Sequence, residues 1–254
     1  MTALALTDAD LYLRGAETVV ASWAAIARGS RDAAVMRLPG LAAAVFPEQP
    51  ERTVYNNALL ARGLAARERR EAVAAMEAAY AAGGVERFAA WAHESDDALC
   101  AELEARGYTI DTTTRAMGMA LGDLQAPPSE IELAPAGWAD YLRHLGLDDV
   151  PPGLLRRVDP DAFEVRVARA GGEIVAAAIA FDHDGDCGIY NVSTLAHARR
   201  RGIGTALTAL HLHDARARGC ATASIQATEI AEGIYAAAGF RDLGRFLEYV
   251  PDGA

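Results

Sequence analysis

The sequence has 254 residues, a formal net charge of -11, 52% hydrophobic residues and 7% aromatic residues. This composition excludes a disordered chain, and the length suffices to bury one large core or two modest ones. The acidic pI, about 5.0, argues against a nucleic-acid partner, because neutralising phosphates requires a basic face. The sequence lacks the run of roughly 20 apolar residues that a membrane helix needs, and residues 1–10 do not resemble a secretion signal. We therefore predict a cytoplasmic protein with no nucleic-acid and no membrane partner.

Metal ligation is not expected from the cysteines or the histidines. The three cysteines, Cys100, Cys187 and Cys220, are widely spaced and odd in number, which argues against a disulfide framework and a Cys-x-x-Cys site. His211 and His213 point about 200 degrees apart on a predicted helix, so they cannot share one metal ion from one face. We predict buried reduced thiols, structural histidines and no metal site.

The first half of the chain alternates helical and extended patterns. Helices are predicted at residues 8–28, 65–82 and 97–106, and a short strand at 53–60. Apolar stretches lie at 33–46 and 88–92, and a threonine-rich segment lies at 108–121. Gly122, Pro127 and Pro128 then interrupt any helix. This break divides the chain into residues 1–124, a linker at 125–129, and residues 130–254.

The second half has the order hairpin, strand, helix, strand, helix, strand. Strands are predicted at 162–170, 174–181, 187–195, 222–227 and 240–250. Helices are predicted at 137–145, 202–218 and 231–238, with a further short helix after Pro151 and Pro152. Residues 54–57 and 104–108 are similar to residues 189–192 and 236–240 at nearly one offset, which suggests a duplicated domain.

One predicted strand end turns through glycines into a helix, a pattern that favours an anion. Gly202 and Gly204 lack a Cβ, so the backbone can approach a ligand closely. The free N–H groups of the first helical turn attract negative charge, and the three arginines Arg199, Arg200 and Arg201 add charge-assisted hydrogen bonds. Neither of the common nucleotide-binding loops, Gly-x-x-x-x-Gly-Lys-Ser/Thr or Gly-x-Gly-x-x-Gly, is present. The segment therefore predicts a phosphate-binding loop of another kind.

The spacing Arg199-x-x-Gly202-x-Gly204 resembles the pyrophosphate loop of the GNAT superfamily of acyl-CoA-dependent N-acetyltransferases. Downstream, residues 231–240 are similar to that family's Ala-x-x-x-Tyr-x-x-x-Gly-Phe signature, and the order of elements in residues 130–254 is the family's order. The resemblance implies an α/β fold with two tandem GNAT-like domains, each a mixed, mostly antiparallel sheet flanked by helices.

The resemblance also implies acetyl-CoA as co-substrate. The strand end at residues 192–195 would separate from the next strand, 224–227, and bond the pantetheine arm like an added strand. Thr228 and Ala196 stand where many members of the family have asparagine and proline. The implied cofactor-binding residues are Val192, Ser193, Thr194, Leu195, Arg199, Arg200, Arg201, Gly202, Ile203, Gly204, Thr205, Thr228 and Tyr235.

The implied reaction is direct attack of an amine on the acetyl thioester in a ternary complex. Tyr235 would protonate the departing thiolate, because a phenol is neutral at physiological pH and can donate a hydrogen bond. A general base must accept a proton from the amine, and we place Glu229 and Tyr190 first among the candidates. The other candidates are a water chain to a distant carboxylate and the hairpin residues Asp182, Asp184 and Asp186.

The first half lacks the arginine and glycine loop, and Arg62-Gly63 is its nearest counterpart. We therefore expect a degenerate first half without a working CoA site. Ser95 or Asp96 is expected to cap the helix that follows and not to line a substrate cleft. The layout is similar to that of tandem GNAT proteins such as mycothiol synthases.

The acceptor is left open by the sequence. Candidates are a small metabolite or antibiotic amine, an amino sugar, and a protein N-terminus, with a small molecule preferred. The alternative function is that of a non-catalytic acyl-CoA sensor or scaffold. The chain is expected to be a monomer or a homodimer.

Overall fold

A computed structural model describes residues 6–49, 55–124, 131, 133–146 and 154–253. The helices are α1 (Asp8–Ala27), α2 (Ala66–Ala82), α3 (Asp97–Ala105), α4 (Trp138–His144), α5 (Ile203–Arg218) and α6 (Glu229–Ala238). The strands are β1 (Ala34–Leu38), β2 (Leu41–Val45), β3 (Asn57–Leu60), β4 (Ala89–His93), β5 (Tyr108–Ala120), β6 (Leu133–Pro135), β7 (Glu164–Ala170), β8 (Glu173–His183), β9 (Asp186–Thr194), β10 (Thr222–Ala227) and β11 (Arg241–Pro251). Three predictions concern residues outside the described ones: the linker at 125–129, the strand start at 53–54, and the helix start after Pro151 and Pro152.

The chain forms two compact units. The C-terminal unit comprises residues 1–19 and 116–243, and the N-terminal unit comprises residues 20–115 and 244–254. The units therefore do not follow the chain as two consecutive blocks, which differs from the predicted division into residues 1–124 and 130–254. The predicted domain bounds, 1–124 and 130–254, therefore remain a prediction.

The C-terminal unit contains the strands in the order β5-β10-β9-β8-β7-β6. Neighbouring strands from β6 to β9 are antiparallel, and β9 and β10 are parallel with α5 as their crossover. Helix α5 buries Ile203 and Leu207 against β8, and Leu212 and Ala215 in a second apolar cluster with residues of β9 and β10. Gly219 ends the helix in the left-handed conformation, as its position predicts.

The N-terminal unit repeats this plan. Its strands lie in the order β1-β2-β3-β4-β11, with an antiparallel hairpin, a parallel β3–β4 pair joined by α2, and an antiparallel final pair. Helices α2 and α3 bury Met76, Tyr80 and Leu99 with these strands in one core. The last strand of the chain thus lies beside β4, whereas β5, which follows α3 directly, lies beside β10. Each unit is therefore completed by a strand from the other half of the sequence.

Candidate functional site

Strand β9 carries a bulge near its end. Tyr190 lies opposite Ile179 and Ser193 lies opposite Ala177, so that two residues of β9 face one residue of β8. Asn191 is one of these two residues of β9. Its φ is 53°, in the left-handed region that asparagine tolerates better than most residues. A bulge bends a strand and re-aims its side chains. Here it sets the direction of the last residues before the glycine loop.

Just before the bulge, β9 leaves its parallel neighbour β10. The register between β9 and β10 ends at the pair Ile189–Ile225, although β9 continues to Thr194 and β10 to Ala227. The last five residues of β9 therefore present one backbone edge that β10 does not pair. Such an edge is suited to receive an extended ligand by backbone hydrogen bonds.

The N-terminus of α5 lies beside this strand end. Gly202 has a φ of 75° at the N-cap, and no side chain caps the helix. The first turn contains no acidic residue. Ala206 is the first residue of α5 whose N–H donates to a backbone carbonyl among the described residues, that of Gly202. A Cβ added at Gly204 would lie 3.9 Å from both Val192 Cγ1 and Thr194 Oγ1. The first-turn amides and the positive end of the helix dipole therefore meet the unpaired strand edge.

The three arginines of the loop are exposed and do not all act alike. Arg199 Nε donates a hydrogen bond to the Thr194 carbonyl at 3.0 Å, so this side chain braces the turn between β9 and α5. Arg200 has a φ of 59°, which places its backbone in the left-handed region. Arg200 and Arg201 add positive charge beside the uncapped helix end, an arrangement that favours an anionic ligand.

Tyr235 lies on α6 within the apolar core of the C-terminal unit. Its side chain is 6% exposed and its ring meets Phe240 edge to face, with 6.0 Å between the centroids. Burial raises the pKa of Tyr235 to about 12. The phenol therefore keeps its proton throughout the physiological range and can donate it.

The two preferred candidates for the general base differ in exposure. Glu229 is exposed at the first position of α6, and Thr228, the N-cap, is exposed and makes no side-chain cap. Tyr190 is half-buried, and its hydroxyl lies over Gly188, where any Cβ would collide with the phenol. The structure does not bring Glu229 and Tyr190 into contact with one another through any hydrogen bond of the described residues.

The hairpin aspartates lie at the other end of β9, roughly 25 Å along the strand from Thr194 at about 3.3 Å per residue. Asp182 is bound by Arg218 Nε at 2.6 Å; burial would raise the pKa of this carboxyl, but the Arg218 hydrogen bonds lower it. Asp186 is 1% exposed and accepts hydrogen bonds from Thr222 Oγ1 and Ser224 Oγ. These carboxylates are structural, and the structure does not bring them to the glycine loop.

Helix α4 supplies contacts that the sequence did not predict. His144 Nε2 lies 2.6 Å from Ser193 Oγ, and Asn191 Nδ2 donates to Tyr141 Oη at 2.7 Å. Both contacts fix the bulged segment of β9. They join residues about 50 positions apart in the chain, so no local spacing could have indicated them.

The corresponding loop of the N-terminal unit is filled by the protein's own carboxylates. Glu68 Oε2 accepts from the Ala65 N–H at 3.0 Å at the start of α2, and Asp96 Oδ2 accepts from the Gly63 N–H at 2.8 Å. Strand β3 also stays paired with β4 up to Leu59, one residue before its end. Asp96 caps α3 as well, through the Leu99 N–H, which confirms the predicted cap. An anion would have to displace these carboxylates to bind here.

The described part of the chain offers neither a metal cluster nor a membrane-spanning helix. No group of three or more His, Cys, Asp or Glu side chains there could hold a metal ion. None of the helices in those residues is both long and apolar enough to cross a membrane. Cys187 is buried, Cys100 and Cys220 are half-buried, and all three thiols are free. Burial raises the pKa of the Cys220 thiol to about 11.

One protein family model matches part of the chain. Residues 129–225 match the model of the acetyltransferase (GNAT) domain, so this part of the chain carries a GNAT domain. This match confirms the resemblance seen in the sequence. No curated protein matches the chain.

Solved structures confirm the fold. A GCN5-related N-acetyltransferase from Kribbella flavida is similar with a TM-score of 0.69 at 19% identity, over 95% of this chain and 96% of that one. A tandem GNAT protein from the clavulanic acid biosynthesis pathway is similar with a TM-score of 0.57 at 13% identity, over 98% of this chain and 97% of that one. A functionally unknown conserved protein from Staphylococcus epidermidis gives 0.63 at 13% identity, over 89% and 96%. The predicted α/β fold with tandem GNAT-like parts is therefore confirmed.

Proposed function

We propose that the chain transfers an acetyl group from acetyl-CoA to the amine of a small molecule, by direct attack in a ternary complex. The observation that carries this proposal is the meeting of the uncapped α5 N-terminus with the unpaired edge of β9. The uncapped helix N-terminus can bind the pyrophosphate of acetyl-CoA, and the unpaired strand edge can bind the amides of its pantetheine arm.

The proposal assigns each part of the site a task. The amides from Arg200 to Thr205 hold the pyrophosphate, while Arg199 keeps the turn in shape through the Thr194 carbonyl. The free edge of residues 192–195 bonds the pantetheine arm. A backbone N–H of this segment then lies near the thioester and can stabilise the oxyanion that forms on attack. Tyr235, protonated at physiological pH, supplies the proton for the thiolate.

A second acetyl-CoA in the N-terminal unit is not part of the proposal. Glu68 and Asp96 occupy the amides that would hold a pyrophosphate there, and β3 has no comparable free edge. We therefore infer one acetyl-CoA per chain. The N-terminal unit serves the fold or the acceptor, and a cytoplasmic location with a monomeric or homodimeric state stays a prediction.

The difference between the two helix starts provides the test. Thr205 is exposed at the third position of α5, the position that Glu68 holds in α2. We expect Thr205→Glu to weaken acetyl-CoA binding by at least about tenfold, or roughly 1.4 kcal/mol, because the new carboxylate repels the pyrophosphate and competes for its amides. Folding stability is expected to stay equal or to rise slightly, because an acidic residue favours a helix start. Calorimetric titration with acetyl-CoA and thermal unfolding measure the two effects.

Thr205→Gln is the matched control, since it has the shape of glutamate without its charge. It should bind acetyl-CoA nearly as the native protein does. Equal affinity in the Thr205→Glu variant would show that the pyrophosphate lies elsewhere, and two acetyl-CoA molecules per chain would contradict a filled N-terminal loop. Tight binding without thiol release across a panel of primary amines would instead favour the acyl-CoA sensor.

A further inference from the structure

His144 and Ser193 form a hydrogen-bonded pair on the C-terminal unit. His144 Nε2 lies 2.6 Å from Ser193 Oγ, and His144 Nδ1 lies 3.4 Å from the Ile174 carbonyl oxygen. A carbonyl oxygen can only accept, so Nδ1 carries the ring hydrogen and Nε2 is the bare acceptor. The serine hydroxyl therefore donates to the imidazole. This is the arrangement in which a histidine can receive a proton through a hydroxyl group.

His144 has few polar partners. It is half-buried at the end of α4, and its hydrogen-bond partners among the described residues are the Ser193 hydroxyl and the Ile174 carbonyl. The nearby charged residues have partners of their own: Asp140 binds Arg143 and Arg169, and Glu173 faces His197.

The pair lies at the strand end that the proposed function assigns to the pantetheine arm. Val192 and Thr194 have side-chain atoms beside Gly204 of α5, and Ser193 stands between them. Because successive side chains of a strand point to opposite faces, Ser193 lies on the face away from α5, where α4 packs. An amine that binds on the α4 face of this strand end would therefore lie beside the Ser193 hydroxyl.

We propose that His144 accepts the proton of the acceptor amine through the Ser193 hydroxyl. The proposal rests on the proposed function. The bound ammonium gives a proton to Ser193 Oγ while Ser193 passes its own proton to His144 Nε2, which leaves a neutral amine and an imidazolium. The amine then forms the C–N bond at the thioester carbon. The C–S bond breaks, and the sulfur keeps the electron pair. Tyr235 gives its proton to the thiolate, and the proton that the amide nitrogen loses restores the phenol. The imidazolium returns its proton to water.

The earlier candidates are less suited to this task. Glu229 is exposed, and its carboxylate has no hydrogen-bond partner among the residues that the structure describes. Tyr190 is a phenol, which ordinarily holds its own proton at neutral pH. His144, in contrast, is oriented by two contacts, with the Ser193 hydroxyl and with the Ile174 carbonyl.

Two small nucleophiles of equal size test the proposal. Methylamine is an ammonium ion at neutral pH and must lose a proton before it attacks, whereas hydroxylamine is already neutral. We expect His144→Gln to lower kcat/KM for methylamine by about 100-fold and to change that for hydroxylamine little. Glutamine can still accept the Ser193 hydrogen bond, so the bulge and the fold are kept. Thiol release from acetyl-CoA is the assay.

Ser193 provides the second pair of variants. Ser193→Ala should reproduce the loss seen with methylamine, and Ser193→Thr, which keeps a hydroxyl, should restore much of the activity. Equal losses with methylamine and hydroxylamine, or no loss with either, would overturn the role of His144 and leave the proposed function intact. Acetyl-CoA binding, followed by calorimetry, should be unchanged in the His144→Gln variant. A native protein that binds acetyl-CoA but acetylates neither nucleophile would overturn the proposed function, and the proton relay with it.

Discussion

Acidification from pH 6.5 to pH 4 is expected to cost the folded protein up to about 3 kcal/mol through His211 alone. His211 is fully buried on α5, and neither ring nitrogen has a described partner in good hydrogen-bond geometry, although the Ala178 backbone lies close enough to favour the charged ring. Burial, and then the charge of Arg166, lower the pKa of His211 to about 4 from its ordinary value of 6.5. The unfolded state therefore binds the proton first as the pH falls. The contribution is fully present above pH 6.5 and is lost as the pH falls to about 4.

The variant that tests this is His211→Leu, measured by urea unfolding at several pH values. A leucine removes the titrating group and a buried polar ring that lacks hydrogen bonds, so stability near neutral pH should stay similar or rise. The loss on acidification should become smaller by roughly 3 kcal/mol. An unchanged pH dependence in the His211→Leu variant would show that another group controls the acid sensitivity.

Glu248 of the N-terminal unit has the opposite effect on the pH dependence of folding stability. It is half-buried on β11, and burial raises the pKa of its carboxyl to about 7, although the hydrogen bond from Thr114 opposes the rise. The folded state therefore binds this proton more tightly than the unfolded state does. Its contribution is fully present below pH 4.5 and is lost as the pH rises through 7. Glu248→Gln should consequently make the acid loss steeper, which separates it from the His211 effect.

Local structure could be predicted closely where the sequence contains residues that mark the ends of helices and strands. The predicted strand at 222–227 has the bounds of β10, and the predicted helix at 202–218 differs from α5 by one residue. Gly219 marks the end of that helix because it alone can adopt the left-handed cap without strain. Similar signals explain the agreement for α2 and α3. The apolar stretch at 33–46, in contrast, is a hairpin of β1 and β2 turned at Gly40.

Long-range pairing could not be predicted in the same way. Nothing in the alternation of β11 shows that it lies beside β4, because a strand pattern indicates one apolar face and not the neighbour at its edge. The bulge at Asn191 and the contact of His144 with Ser193 could not be predicted for the same reason, because both depend on residues that are distant in the sequence. The glycine loop was predictable because its chemistry is contained in one short segment, whereas the groups that surround it come from separate elements.

Removal of the Tyr235 hydroxyl should lower turnover strongly and leave the fold unchanged. We expect Tyr235→Phe to lower kcat by about 100-fold, the typical contribution of a positioned proton donor, with little change in KM for acetyl-CoA. The ring packs against Phe240 in the core, and phenylalanine keeps that contact. Thermal stability should therefore match that of the native protein. Steady-state kinetics by thiol release, with the best amine of the panel, provides the measurement.

The pH profile distinguishes proton donation from a structural role of Tyr235. Because burial raises the pKa of the phenol to about 12, the native enzyme should show no loss of donor function across the neutral range. In the Tyr235→Phe variant the thiolate must take its proton from solvent, so an added small acid should recover part of the rate. Unchanged turnover in this variant would mean that solvent already protonates the thiolate, and that Tyr235 contributes packing alone. Reduced turnover together with reduced acetyl-CoA affinity would instead assign the hydroxyl to binding of the cofactor arm.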